Sequence, residues 1–230
     1  YLPNLNKESI SAEFSKEESK HIFKVLRKDV GHNINITNGK NLFFEAKITS
    51  ISKNNCEVKI QNFKVKDKLN YKLHLAISLL KSNDRFEWFL EKATELGIDA
   101  ITPIICDRSE RKEVKTERLN KIITSAIKQS IKAYHPLVHE AISFKQFMQQ
   151  GLAGTGFIAH CMEGEKPLLA QLVKPLGQYT VLIGPEGDFT PQELALAQAA
   201  GYTGISLGDA RLRTETAALA ACFEINLLNR

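Results

Sequence analysis

The hydrophobic period changes near residue 70, and that change limits the possible folds more than any other feature of the chain. Before it, β-branched and aromatic residues alternate with polar ones in three runs, Asn33–Thr37, Leu42–Ile51 and Cys56–Val65. The runs are separated by the turn dipeptides Asn38-Gly39 and Asn54-Asn55. Such a pattern predicts a small β-barrel over residues 1–70. A short helix precedes those strands, with Ser15 and Glu18 spaced as a capping box and His21-Ile22-Phe23-Lys24-Val25-Leu26-Arg27 following. After residue 70, short apolar runs alternate with helical patterns, as in a parallel α/β sheet. Strands are expected at 73–80, 100–106, 157–160, 180–183 and 204–207. Helices are expected at 84–96, with Gly97 as the stop, at 119–131 before Pro136, around 166–173, at 191–200 and at 215–228. The reading is therefore α/β, with two domains, 1–70 and 71–230.

Composition removes several classes. With 43% hydrophobic residues and 4 Cys in 230, the chain is not disordered, collagenous or a disulfide scaffold. No apolar run reaches the roughly 18 residues needed to span a bilayer, and Tyr1-Leu2-Pro3-Asn4 lacks a signal-peptide pattern. A soluble cytoplasmic protein is expected. Cys56, Cys106, Cys161 and Cys222 form no Cys-x-x-Cys pair, so zinc is not expected and the thiols read as small core residues in a reducing compartment.

Charge is distributed unevenly. Residues 1–70 carry 13 Lys+Arg against 8 Asp+Glu, residues 71–150 carry 13 against 10, and residues 151–230 carry 5 against 8. The basic side is N-terminal. Lys64, Lys66 and Lys68 follow Lys40, Lys47, Lys53 and Lys59 through the strand-rich part, as a surface tracking phosphates requires. A solvated lysine-rich face accounts for the charge alone equally well.

Open parallel sheets place ligands at the C-terminal ends of their strands. Gly184-Pro185-Glu186-Gly187-Asp188-Phe189 leaves one strand, and Thr190-Pro191-Gln192-Glu193 opens a helix with a Thr cap, Pro at its first position and Glu three residues after the cap. Ser206-Leu207-Gly208-Asp209-Ala210-Arg211-Leu212-Arg213-Thr214-Glu215 leaves another strand and enters the last helix. A third strand end lies at His160-Cys161-Met162-Glu163. Each alone is compatible with an ordinary turn. Three glycine-bearing or polar strand ends together suggest one site.

The pairing of "LIGPEGDFTPQE" (182–193) with "SLGDARLRTETA" (206–217) resembles the bacterial 16S rRNA (uracil-N3)-methyltransferases of the RsmE type, in the SPOUT class. Further matches are "HIFKVLR" (21–27), "EKATELGIDAITPIICDRS" (91–109) and "AIKQSIKAYHP" (126–136). Two departures stand out: the family usually has a second Gly where Asp188 stands, and Arg where Lys132 stands. The resemblance implies a PUA-like barrel for RNA at 1–70 and a SPOUT domain with a C-terminal trefoil knot at 71–230. It also implies S-adenosylmethionine as methyl donor, a homodimer, and one uridine near the 3′ end of 16S rRNA, at the decoding region of the small subunit, as the target.

Uracil N3 bears a weakly acidic proton that must leave as the methyl arrives, so a base, or a cation facing the charge spread onto O2 and O4, lowers the barrier. Arg213 is the first candidate for the cation and Glu215 for the base. The adenosyl pocket is expected from His160, Leu182, Gly184, Pro185, Gly187, Ser206, Leu207, Gly208, Leu212 and Arg213, with backbone groups exposed by the glycines and apolar walls from the leucines. RNA contacts are expected from Arg27, Lys64, Lys66, Lys68, Arg108, Ser109 and Gln129. Ala217, Ala218, Ala221, Cys222, Ile225 and Leu228 mark an apolar stripe on the last helix, read as a two-fold interface. Two other readings stay open: a SPOUT enzyme of different specificity, such as ribose 2′-O-methylation of rRNA or tRNA, and a non-catalytic RNA-binding assembly factor of the ribosome.

Overall fold

The computed structural model describes all 230 residues. They fall into two compact units, one of Tyr1–Lys68 with Ile127–His135, the other of Leu69–Ala126 with Pro136–Arg230. Residues 127–135 thus group with the first unit, although in sequence they lie inside the second.

The first unit contains β1 (Ser11–Phe14), α1 (Lys16–Lys24), β2 (Asn33–Thr37), β3 (Leu42–Ile51) and β4 (Cys56–Val65). The strands form an antiparallel sheet in the order β1-β4-β3-β2. Period-2 alternation sets its inner face: Phe44, Ala46 and Ile48 are buried together with Ile36, Cys56 and Val58, and Phe14 of β1 and Ile22 of α1 close the same core. Register shifts between Glu45 and Ala46 and between Ile48 and Ser50 bend β3 against β4. Strand β1 was not expected, because four residues are too few to display a period. Ser15 caps α1, its hydroxyl accepting the Glu18 N–H at 3.3 Å. The 127–135 segment is held by Tyr134, whose hydroxyl donates to the Lys66 carbonyl at 3.1 Å and whose ring lies 5.7 Å below the Lys68 ammonium.

The second unit continues with β5 (Lys72–Ser78), α2 (Asn83–Leu96), β6 (Ala100–Ile105), α3 (Thr116–Gln129), β7 (Leu137–Val138), β8 (Ile142–Ser143), α4 (Phe144–Gln149), β9 (Thr155–Ala159), α5 (Leu169–Leu172), β10 (Gln178–Ile183), α6 (Pro191–Ala199), β11 (Tyr202–Ile205) and α7 (Thr214–Leu228). Its sheet is parallel, in the order β11-β9-β10-β5-β6-β7, with β8 also paired to β6. Leu73, Leu75, Ala76 and Ile77 of β5 are fully buried, which is why this strand reads as an unbroken apolar run rather than an alternating one. One face packs Leu182, Ile158 and Ala76 against Phe144, Phe147, Phe189 and Ala197. Against β5 and β10 lies α7, with α2 beside it. The strand order is consistent with a C-terminal knot. Helix α4 escaped the sequence reading because it has only six residues; its cap, Ser143 with Gln146, forms a complete capping box.

The stripe on α7 requires a correction. Ala218, Ala221, Cys222 and Ile225 are fully buried within their own unit, so they serve its core and not a partner. The apolar side chains that α7 turns outward are Phe223, Leu227 and Leu228. No helix of the protein is long and apolar enough to cross a membrane.

Candidate functional site

Parallel pairing puts the C-terminal ends of β9, β10 and β11 at one level, because Ala159 pairs with both Ile183 and Ile205. The three loops leaving there enclose a cavity of about 810 Å³, lined by His160 and Cys161 from the first, Gly184, Pro185, Glu186 and Asp188 from the second, and residues 206–213 from the third. Ala159, Ile183 and Ile205 at the strand ends, Thr214, Glu215 and Ala217 at the start of α7, Lys166, and Arg85 of α2 complete the wall. The volume lies within the range of small-molecule sites.

Each loop is set by local chemistry and then tied to a neighbour. The Asp188 N–H donates to the Pro185 carbonyl at 2.9 Å and closes the turn, with Asp188 at φ 62°. This left-handed backbone is the physical reason for a glycine here, and Asp is among the few other residues that tolerate it. Its carboxylate adds what a glycine lacks: Oδ2 accepts the Cys161 N–H at 2.8 Å and Oδ1 accepts the Phe189 N–H at 2.8 Å. Glu193, buried in the first turn of α6, accepts from the N–H of Thr190 at 2.8 Å and from the N–H of Asp107 at 2.9 Å. Arg108 donates to the Gly187 carbonyl at 2.7 Å. In the third loop, the Ser206 hydroxyl accepts the Gly208 N–H at 3.2 Å, and the Ser206 N–H donates to the Pro167 carbonyl at 2.9 Å.

The electrostatics are mixed. Glu215 is buried, 6% exposed, and Arg85 Nε approaches its Oε1 at 3.7 Å. Arg211 and Arg213 are exposed at the rim. Burial, reinforced by the Lys166 charge and partly offset by Asp188, lowers the His160 pKa below its ordinary 6.5. The ring is therefore neutral near pH 7, and its Nδ1 atom is buried without a hydrogen-bond partner. Gly204 admits that ring, since a Cβ there would lie 2.8 Å from His160 Nε2. No group of three or more His, Cys, Asp and Glu side chains stands close enough to hold a metal ion.

Of the expected pocket residues, His160, Gly184, Pro185, Ser206, Leu207, Gly208, Leu212 and Arg213 line this one cavity, and so does Glu215, the candidate base. Leu182 does not; it is fully buried in the core, because the side chains of β10 are packed on both faces of the sheet. Gly187 does not line it either, and supplies instead the carbonyl that Arg108 holds. Ser109 is corrected as an RNA contact: it is buried, bonded to the Ser78 hydroxyl at 2.8 Å and accepting the Cys106 N–H at 2.8 Å. Arg27, Lys64, Lys66, Lys68 and Gln129 belong to the first unit, where all five are exposed and Lys64 pairs with Glu45 at 2.6 Å. The sequence reading missed Arg85 as a cavity residue and left Asp188 and Glu193 without their roles as ties between loops. Only the capping-box spacing of Glu193 was a signal, and it pointed to its own helix.

A family model described as an RNA methyltransferase domain matches residues 67–226, and one described as an RNA methyltransferase PUA domain matches residues 14–61. Ribosomal RNA small subunit methyltransferase E of Rickettsia conorii is 31% identical over 99% of this chain and 94% of its own. Ribosomal RNA small subunit methyltransferase E of Neisseria gonorrhoeae, solved bound to S-adenosyl methionine, superposes with a TM-score of 0.91 at 29% identity, covering 100% of this chain and 96% of that one. A Porphyromonas gingivalis structure described as a probable rRNA-methyltransferase gives a TM-score of 0.91 at 35% identity, over 100% and 97% of the two chains. With both family models matched in order and near-complete coverage of such relatives, the chain belongs to the ribosomal RNA small subunit methyltransferase E family of RNA methyltransferases.

Proposed function

We propose that this protein transfers the methyl group of S-adenosylmethionine to N3 of one uridine near the 3′ end of 16S rRNA. The observation that carries the reading is the convergence of three strand-end loops on one cavity that holds Gly208, Arg213 and Glu215 together. The cavity suits the cofactor. Gly208 has φ 112° and nothing within 4 Å of where a Cβ would stand, so the backbone leaves room for a ligand. The unpartnered His160 Nδ1 offers a polar contact, and Glu186, Asp188 and Asp209 complement a positively charged donor.

S-adenosylmethionine supplies, when bound, a sulfonium-activated methyl group that needs no metal. The chain's own residues then have three tasks. Ile183, Ile205, Leu207 and Leu212 supply apolar wall, and the Gly184 and Gly208 loops present backbone groups. Glu215 takes the N3 proton; its buried carboxylate is compensated by Arg85 and by the N-terminus of α7. Arg213, exposed at the rim and forming no ion pair, faces the charge developing on O2 and O4. RNA is held by the basic first unit, through Arg27, Lys66 and Lys68, and a cytoplasmic setting follows from an rRNA substrate. The active form is a homodimer, built on the outward Phe223 and Leu227 of α7, and light scattering is expected to give twice 25.8 kDa.

The test is methyl transfer from labelled S-adenosylmethionine to bare 16S rRNA and to assembled small subunits, followed by nucleoside analysis. 3-Methyluridine is the expected product. Glu215→Gln and Arg213→Ala should each lower kcat by roughly 10²–10⁴-fold. A 2′-O-methylated nucleoside would overturn the specificity, and binding without transfer would leave an assembly factor.

A further inference from the structure

The C-terminal end of α1 presents an apolar surface that the unit's own core does not use. Phe23 is 42% exposed, Val25 64% and Leu26 48%, while Ile22, just before them, is buried. The geometry has a local cause. The Leu26 N–H closes on the His21 carbonyl at 3.1 Å and the Lys28 N–H on the Ile22 carbonyl at 3.1 Å, with Arg27 left-handed at φ 49°. This tight reversal ends the helix and leaves the Val25 and Leu26 side chains outside the core. Cations flank them in sequence: Lys20, Lys24, Arg27 and Lys28 stand at this end of α1 with Asp29 as the one nearby acid, while Glu17 and Glu18 sit in the first turn of α1, and Glu18 is paired with Lys128.

Exposed apolar side chains flanked by Lys and Arg are unfavourable on a purely solvated surface, and they suit a ligand with flat apolar faces and a negative backbone. We propose that Phe23 and Leu26, three residues apart and so neighbours on one side of the helix end, form a stacking platform for unpaired bases of the RNA, with Arg27 and Lys28 on the flanking phosphates. This inference rests on the rRNA substrate proposed above and adds to it the single-stranded character of the segment that the first unit grips. Single strands are recognised by stacking and by cationic grooves, whereas paired A-form RNA offers its phosphates and 2′-hydroxyls and keeps its bases stacked on one another.

The experiment measures binding of the full-length protein to bare 16S rRNA across a salt series, with S-adenosylmethionine affinity by calorimetry alongside. Phe23→Ser and Leu26→Ser should each weaken RNA binding about tenfold while leaving the slope of log K against log salt unchanged, because a stacking contact releases no counterion. Arg27→Gly, which suits the left-handed backbone, should lower that slope by about 0.7. Ile10→Ser, at an exposed apolar residue of the same unit outside α1, should bind RNA as wild type does. Cofactor affinity should be the same in all four. Unchanged RNA affinity in Phe23→Ser and Leu26→Ser overturns the platform, as does an equal loss in Ile10→Ser. A fall in molecular mass by light scattering in the α1 variants, with RNA affinity intact, would make the surface a protein interface and also overturn it. A wild-type protein that methylates neither bare 16S rRNA nor assembled small subunits removes the proposed function itself, and that result is read without any variant.

Discussion

Asp188 sets backbone strain against a hydrogen bond, so exchanging it tests how the cavity loops are held. Its carboxylate joins the β10 loop to the β9 loop through the Cys161 N–H at 2.8 Å, and it does so from φ 62°. Charge-assisted hydrogen bonds contribute about 1.5–3 kcal/mol, and the lower end applies at this solvent-accessible position. An ordinary residue in left-handed backbone costs about 1–2 kcal/mol, and Asp less. Asp188→Ala loses the bond and meets the full strain, for about 2–3 kcal/mol in total. Asp188→Gly loses the same bond and is relieved of strain, but frees the unfolded chain by about 0.4–1 kcal/mol, leaving a net loss of about 1–2 kcal/mol. The expected order of stability is Asp, then Gly, then Ala, with Tm lowered by roughly 5–10 °C in the Ala variant for a chain of this size. Calorimetry should show S-adenosylmethionine binding weakened severalfold in both variants, because the Cys161 loop lines the cavity. A Gly variant as stable as wild type with unchanged cofactor affinity would refute the reasoning, since the carboxylate tie would then contribute nothing.

Gly208→Val should abolish measurable cofactor binding while the protein stays folded, because the side chain enters open space in the cavity from a backbone at φ 112°; near-native affinity by calorimetry would detach this loop from the pocket. Replacing Lys66 and Lys68 with Ala should flatten the salt dependence of RNA binding by about 0.7 per phosphate contact, read from a titration series. Lys64→Ala should do less, as Lys64 is already paired with Glu45. Acid should destabilise the protein through His74, whose Nε2 lies 2.7 Å from Thr102 Oγ1, itself 2.7 Å from His139 Nδ1. Burial first, and the neighbouring His139 second, hold the His74 pKa down at about 4. The unfolded chain binds this proton below about 6.5 and the folded protein only below about 4, so the stability present above pH 6.5 is lost as pH falls through that window. The loss is about 3 kcal/mol, and denaturant melts of wild type and His74→Gln should differ in pH dependence by that amount.

What the sequence determined by itself is what depends on neighbours along the chain. Alternation placed β2, β3 and β4 at their observed bounds, the helical period placed the buried face of α2, and the Thr190–Glu193 spacing placed the start of α6. Glycine and proline at strand ends marked the loops, because tight turns demand those residues wherever they occur. The tertiary structure decided everything that depends on which strands lie side by side. Once β9 pairs in parallel with β10, Asp188 reaches the Cys161 N–H, and once β5 joins β10 to β6, Glu193 reaches the Asp107 N–H and Arg108 reaches the Gly187 carbonyl. No periodicity encodes those partners. The same cause explains the misplaced residues. A strand buried on both faces carries no mark of which side chain lies under the cavity, so Leu182 could not be told from a wall residue. A polar residue after a strand carries no mark of whether its hydroxyl is already taken, as that of Ser109 is by Ser78 and by the Cys106 N–H. On α7 two apolar faces compete, and only packing against β5 and α2 decided that Ala218, Ala221, Cys222 and Ile225 turn inward while Phe223 and Leu227 remain outside.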